Sequence, residues 1–105
     1  MICAKVLKRN GNLCGFDVQG HSGSAKSGQD IVCAAVSSAV FMAANTLTEV
    51  CGCTAHVEQA DGKLYMTVCE PDTQKAQEVL KGLHIHLQGL SAQYPTFITI
   101  QLTEV

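Results

Sequence analysis

Residues 31–50 read IVCAAVSSAVFMAANTLTEV, and their apolar side chains recur with the period of an α-helix. The apolar stripe consists of Val32, Val36, Ala39, Ala43 and Leu47. Many of the remaining residues are alanine or serine, which let a sheet or another helix approach closely. We therefore predict a helix over residues 31–50 that packs against a hydrophobic core.

Two strands are predicted before this helix. Residues 2–7 and 14–19 both alternate between apolar and polar side chains, as expected of half-buried strands. Asn10 and Gly11 lie between them and favour a type I′ turn, because both residues tolerate positive φ. The second strand runs out at Gly20 and His21, and residues 22–29 follow as a loop without periodicity.

A second hairpin and a second helix are predicted after residue 50. Residues 53–59 and 64–68 alternate around an Asp61-Gly62 turn. Pro71 and Asp72 begin the next helix, with the Asp72 carboxylate capping the amides ahead of it. The apolar period continues to Leu90, Pro95 ends it, and residues 98–102 form a last strand. The order ββαββαβ predicts one α+β domain over residues 1–105, two-layered, with two helices on a mostly antiparallel sheet.

Composition excludes several classes of protein. The formal charge is −2 and there is no basic run, so we expect no direct binding to nucleic acid. The start, MICAKVLKRN, lacks the pattern of a signal peptide, and the weakly polar run 31–44 is too short for a membrane span. The six cysteines mostly occupy strand-like positions, where cysteine acts as a small hydrophobe. We expect reduced thiols in a soluble cytoplasmic protein.

The stretch GHSGSAKSGQDIVCAAV, residues 20–36, contains candidate catalytic groups. Asp30 precedes the apolar helix and is a natural N-cap. Cys33 would then lie in the first helical turn, where the helix dipole favours a thiolate. His21 could reach it as a base if the loop folds back, which gives the minimum set for thiol acyl transfer. First-turn amides could hold an oxyanion, and Ser37 lies one turn beyond Cys33.

Each of these residues also has a plainer interpretation. A cysteine near a helix start is more often core packing, a histidine after a strand is usually a surface residue, and Asp30 is more often only a cap. The loop favours the functional interpretation, because Gly20, Gly23 and Gly28 lie in a segment with no large apolar anchor, as in a lid.

The same stretch resembles the signature of the ribosomal-processing cysteine protease family, Prp. The matching residues are Gly20, His21, Ser22, Gly28, Asp30, Ile31, Val32, Cys33, Ala34, Ala35 and Ser37, although alanine is commoner in the family at position 22. The resemblance implies a small α+β homodimer that removes the N-terminal extension of a large-subunit ribosomal protein. It implies a catalytic dyad of His21 and Cys33, supported by Asp30 and Ser37, and no cofactor. The loop residues expected to contact substrate are Gly20, Ser22, Gly23 and Gly28.

The sequence also contains a candidate metal site and is compatible with two alternative functions. Cys51-Gly-Cys53 and His84-Ile-His86 suggest a metal site, but their spacings fit zinc poorly, so no metal is expected. One alternative function is a non-catalytic dimeric factor that binds a ribosomal protein during assembly and does not need Cys33. Another is a redox sensor, which would need a resolving cysteine near Cys33. Cys51 and Cys53 lie near the far end of the predicted helix, which argues against an internal disulfide with Cys33.

Overall fold

Five strands and two long helices make up the computed structural model, which describes residues 1–20 and 27–105, with only the backbone for residues 27–30. The strands are β1 (Ile2–Arg9), β2 (Asn12–Gln19), β3 (Ala55–Ala60), β4 (Lys63–Val68) and β5 (Ile98–Glu104). Helix α1 (Ser27–Asn45) continues into one turn of π-helix, Thr46–Val50, and a 3₁₀ turn, Glu70–Asp72, leads into α2 (Thr73–Gln93). The predicted order ββαββαβ is confirmed.

The strands form one sheet in the order β3-β4-β2-β1-β5. The two hairpins are joined by antiparallel pairing of β2 with β4, and β5 adds parallel to β1. The sheet is therefore mostly antiparallel, as predicted. Asn10 and Gly11 have φ values of 54° and 82°, which agrees with the predicted turn between β1 and β2.

A bulge changes which residues of β2 face the core. The register between β1 and β2 shifts after Leu7, which pairs with Gly15, whereas Lys8 pairs with Leu13. As a result Leu13 joins Phe16 in the core cluster, where strict alternation would have placed Cys14. Cys14 is nevertheless fully buried, and burial raises the pKa of its thiol.

Both helices contribute to a single hydrophobic core. Val32 and Leu47 on the first helical segment and Leu80 and Leu87 on α2 are fully buried. They belong to the same cluster as Met66 and the other inward-facing residues of the sheet. This confirms the two-layer α+β prediction and the apolar stripes of both helices.

The helix starts differ from prediction in two ways. Helix α1 begins at Ser27, so Asp30 is its fourth residue and not its N-cap. At α2, Asp72 does occupy the N-cap position but makes no capping hydrogen bond. Its Oδ2 instead accepts a 2.8 Å bond from the amide of Thr54, and its Oδ1 lies 3.2 Å from Lys75 Nζ. The carboxylate therefore ties α2 to the segment before β3.

One helical segment in the described part of the chain, Ile31–Val50, is long and apolar enough to cross a membrane by length and composition alone. This run is longer than the stretch 31–44 considered from the sequence. Its stripe of Val32, Val36 and Val40 is buried against the sheet, and core helices commonly meet the same criterion. The finding is therefore weak support for a membrane span.

Candidate active site

Cys33 and Ser37 lie on one face of α1 and line the same cleft. They are one helical turn apart, so their side chains project from neighbouring positions. The cleft has a volume of about 490 Å³, within the roughly 300–1,000 Å³ typical of ligand sites. Cys33 is half-buried at the edge of the core, whereas Ser37 is exposed. Cys33 thus has a packing role and also faces the cleft.

The cleft has an apolar floor and a more polar wall. The floor is formed by apolar residues of β1, β2, α1 and β4, namely Ile2, Val18, Val36, Val40, Phe41 and Leu64. The more polar wall consists of residues 59–63, which are the end of β3, the turn and the start of β4, and it carries Gln59, Asp61 and Lys63. Such a site can hold an apolar side chain while polar groups contact the backbone around it.

Gly20 brings the start of the predicted catalytic loop to this cleft. It lines the cleft together with Cys33, and its amide donates a 2.9 Å hydrogen bond to the carbonyl oxygen of Gly62. The next residue is His21, the predicted base. His21, Ser22 and Gly23 lie outside the described residues, so their predicted roles remain predictions.

The early start of α1 corrects the predicted environment of Cys33. Cys33 is the seventh residue of α1, in the second turn, and not the third residue of the first. The helix dipole and the unpaired amides act over the first turn, so they do not activate this thiol in the way predicted. The predicted position of Gly28 is also wrong, because Gly28 is the second residue of α1 and not part of the loop. Activation of Cys33 therefore depends on its other neighbours.

The other cysteines and histidines lie away from the cleft. All six cysteines belong to the described residues, and none of them is paired in a disulfide. Among the side chains described for residues 1–20 and 31–105, no three His, Cys, Asp or Glu come together as metal ligands would. His56 is exposed, and its Nε2 lies 2.8 Å from Glu58 Oε2. This hydrogen bond lowers the pKa of Glu58.

Comparison with known proteins gives the family. The profile of the family described as Cysteine protease Prp matches residues 1–99. The chain belongs to this family. The Ribosomal processing cysteine protease Prp of Bacillus subtilis (strain 168) is 28% identical over 88 residues, which cover 78% of this chain and 79% of that protein. As a member of the Prp family, the chain is a cysteine protease.

Solved structures show the same fold. SMU.848 from Streptococcus mutans matches with a TM-score of 0.81 and 27% identity, over 100% of this chain and 96% of that one. The Prp protease of S. aureus, solved in complex with a substrate peptide, matches with a TM-score of 0.87 and 21% identity, over 97% of this chain and 99% of that one. The Prp fold therefore extends over nearly the whole chain.

Sequence reasoning missed two parts of the cleft of this Prp protease. Phe41 could have been found, because Cys33, Ser37 and Phe41 follow the i, i+4, i+8 spacing of one helix face. The segment 59–63, around the turn between β3 and β4, gave no such signal of a place in the cleft. It reaches the cleft only because β4 pairs with β2, a contact between distant parts of the sequence.

Proposed function

We propose that this Prp protease is an endopeptidase that removes the N-terminal extension of a large-subunit ribosomal protein. Cys33 is the nucleophile and His21 is the base. The observation that carries the proposal is that the Cys33 thiol faces a cleft of peptide-binding size which is also lined by Gly20, the residue bonded to His21. The name of the B. subtilis relative, a ribosomal processing protease, supports the substrate class.

The reaction proceeds in two stages. His21 removes the proton from the Cys33 thiol, and the sulfur attacks the carbonyl carbon of the scissile bond. The carbon–nitrogen bond then breaks, His21 returns the proton to the leaving amine, and the N-terminal fragment remains as a thioester on Cys33. In the second stage His21 accepts a proton from water and the resulting hydroxide attacks the thioester carbon. The carbon–sulfur bond then breaks, the N-terminal fragment leaves as an acid, and His21 returns the proton to the sulfur of Cys33.

In this mechanism His21 contributes more to activating the Cys33 thiol than it would if Cys33 lay in the first turn of a helix. Because Cys33 lies in the second turn of α1, the base and not the helix dipole must favour the thiolate. Ser37 supports the site from the same helix face, where its hydroxyl can donate a hydrogen bond to the sulfur or to the bound peptide. Asp30, three residues before Cys33, is the second supporting residue that the family resemblance implies.

We also propose that the enzyme is a cytoplasmic homodimer. Its partner is the N-terminal segment of the ribosomal protein, and it binds neither nucleic acid nor a membrane directly. An apolar groove of about 690 Å³ runs between α1 and α2 and supports the dimer. Met42, which lines it, is 64% exposed in the single chain. Covering such a groove with a second copy would remove apolar surface from water. The small net charge and unpaired cysteines are consistent with the rest of this proposal.

The test is cleavage of a peptide that matches the N-terminal extension of the host's own large-subunit ribosomal protein. Products of the parent, Cys33→Ala and Cys3→Ala are identified by mass spectrometry. Cys3 is an exposed cysteine on β1 outside the cleft and serves as the matched control. We expect cleavage at one bond by the parent and by Cys3→Ala, and none by Cys33→Ala. Binding of the peptide by all three without cleavage would instead support the assembly-factor alternative.

A further inference from the structure

Gly20 occupies a backbone position that only glycine can fill without moving its neighbours. Its φ is +94°, in the region that side chains of L-residues disfavour. A Cβ atom built there would overlap the carbonyl oxygen of Met1 and lie 3.3 Å from the Cα of Ile2. Two independent constraints therefore act at this position, the backbone conformation and the lack of space.

The atoms that surround Gly20 are themselves held by the sheet. The amide of Ile2 donates a 2.8 Å hydrogen bond to the carbonyl oxygen of Phe97, and Ile2 pairs with Ile98 in β5. On the other side, Gly62 belongs to the turn after β3, and its carbonyl oxygen accepts the amide of Gly20 at 2.9 Å. Neither contact can retreat without disturbing strand pairing.

We propose that Gly20 is a positioning residue, which Met1 and Gly62 hold so that the chain leaves β2 in the direction that brings His21 to Cys33. The inference rests on the proposed function, because it acts through His21 as the base. Gly20 lines the cleft that also contains Cys33, so the residue directly before His21 is held at the active site. A side chain at position 20 would redirect the backbone just before the base.

Gly11 provides a matched control. It has a similar φ of +82°, but a Cβ there would meet nothing within 4 Å, and it lies in the turn between β1 and β2, away from the cleft. Gly11→Ala therefore has the same kind of backbone conformational cost as Gly20→Ala. Its Cβ overlaps no neighbouring atom, however, and position 11 is not next to His21.

The test compares Gly20→Ala, Gly11→Ala and His21→Ala with the parent. Peptide cleavage gives kcat and KM, and the rate of Cys33 alkylation by iodoacetamide is followed against pH by peptide mass spectrometry. For Gly20→Ala we expect kcat to fall about 10- to 100-fold with KM within about threefold, because an error of roughly 1 Å in a catalytic group can cost that much. Its alkylation profile should match that of His21→Ala, whereas Gly11→Ala should match the parent.

Equal loss of activity in Gly20→Ala and Gly11→Ala, with parental alkylation profiles in both, would overturn the positioning role. If Gly20→Ala does not fold, Gly62→Val takes its place, since Gly62 has a φ of +73°, with Gly52→Val as control at a φ of +68° in open space. If the alkylation profile of Gly62→Val matches that of His21→Ala and the profile of Gly52→Val does not, the proposal is supported. If the profile of Gly62→Val matches that of the parent, the proposal is overturned. The alkylation assay needs no substrate, so a parent that cleaves no peptide refutes the proposed function without deciding the positioning role.

Discussion

At the level of single residues, Ser37 has the clearest expected effect on the reaction. Its side chain is exposed to the cleft one turn from Cys33, so removing the hydroxyl should not disturb the core. We predict that Ser37→Ala lowers kcat/KM about 10-fold, the loss of about 1.4 kcal/mol of transition-state stabilisation. The unfolding midpoint should stay that of the parent.

The control for this prediction is Ser38→Ala. Ser38 is also exposed on α1 but lines the groove toward α2 and not the cleft. Cleavage kinetics of both variants should show a loss for position 37 alone. An equal loss at both positions would mean that the effect comes from the helix and not from the cleft.

Asp72 is the residue for which a pH dependence of stability is expected. The hydrogen bond from the Thr54 amide, followed by the contact with Lys75, lowers the pKa of this carboxyl in the folded state. The ionised carboxylate thus stabilises the fold above its unfolded pKa of about 3.9, and this stability is lost as the pH falls through the lower folded pKa. We predict that Asp72→Asn destabilises the protein at pH 7 and that the difference from the parent shrinks as the pH falls below the unfolded pKa of about 3.9. Urea midpoints measured across this range check it, and a difference that does not change with pH would contradict it.

At the level of elements, the sequence predicts where periodic apolar residues lie better than where a helix starts. The helix that carries the apolar stripe from Val32 to Leu47 is amphipathic, and the burial of this stripe follows directly from its 3.6-residue period. The first turn of α1 contains Ser, Gly and Gln, which have no periodicity, so the start at Ser27 was not visible. The wrong start led to the wrong assignment of Cys33 to the first turn. The bulge at β2 was missed for a similar reason, because strict alternation through Cys14 gave no sign of the extra residue.

Helix α2 should depend on its buried stripe for stability. Leu80 is fully buried in the core cluster, whereas Gln88 on the same helix is exposed. We predict that Leu80→Ala costs about 2–5 kcal/mol, from lost burial and the cavity left behind. Gln88→Ala should change the free energy of unfolding by less than about 0.5 kcal/mol. Denaturant unfolding of both variants measures this, and equal effects would show that the helix is not held by this face.

At the level of the whole molecule, the pairing of strands that are distant in the sequence could not be predicted from it. Nothing local predicts that β5 lies parallel to β1 or that β4 lies beside β2. The order of elements and the helix stripes could be inferred because they are local patterns. The far wall of the cleft could not, because the turn after β3 is brought there by sheet topology. His21 and Cys33 could be predicted because the family resemblance depends on their spacing and on the residues next to them. Both of these are visible in the sequence before the fold is known.

The proposed dimer also belongs to the whole molecule. We predict that Met42→Glu, which places a charge in the groove between α1 and α2, converts a dimer into a monomer. Val50→Glu is the control, because Val50 is 79% exposed and does not line the groove. Light scattering coupled to size exclusion measures the mass of each variant. A parent that is monomeric, or a Met42→Glu variant that stays dimeric, would contradict the assignment of this groove.

The most direct test of the mechanism is to trap the acyl-enzyme. The protein is mixed with the ribosomal-protein peptide, quenched in acid within the first turnover, and its intact mass is measured before the modified residue is located by fragmentation. We predict that the N-terminal fragment of the peptide is attached as a thioester to Cys33 and to no other cysteine. An acyl group on a different residue, or cleavage by Cys33→Ala, would contradict the assignment of Cys33 as the nucleophile.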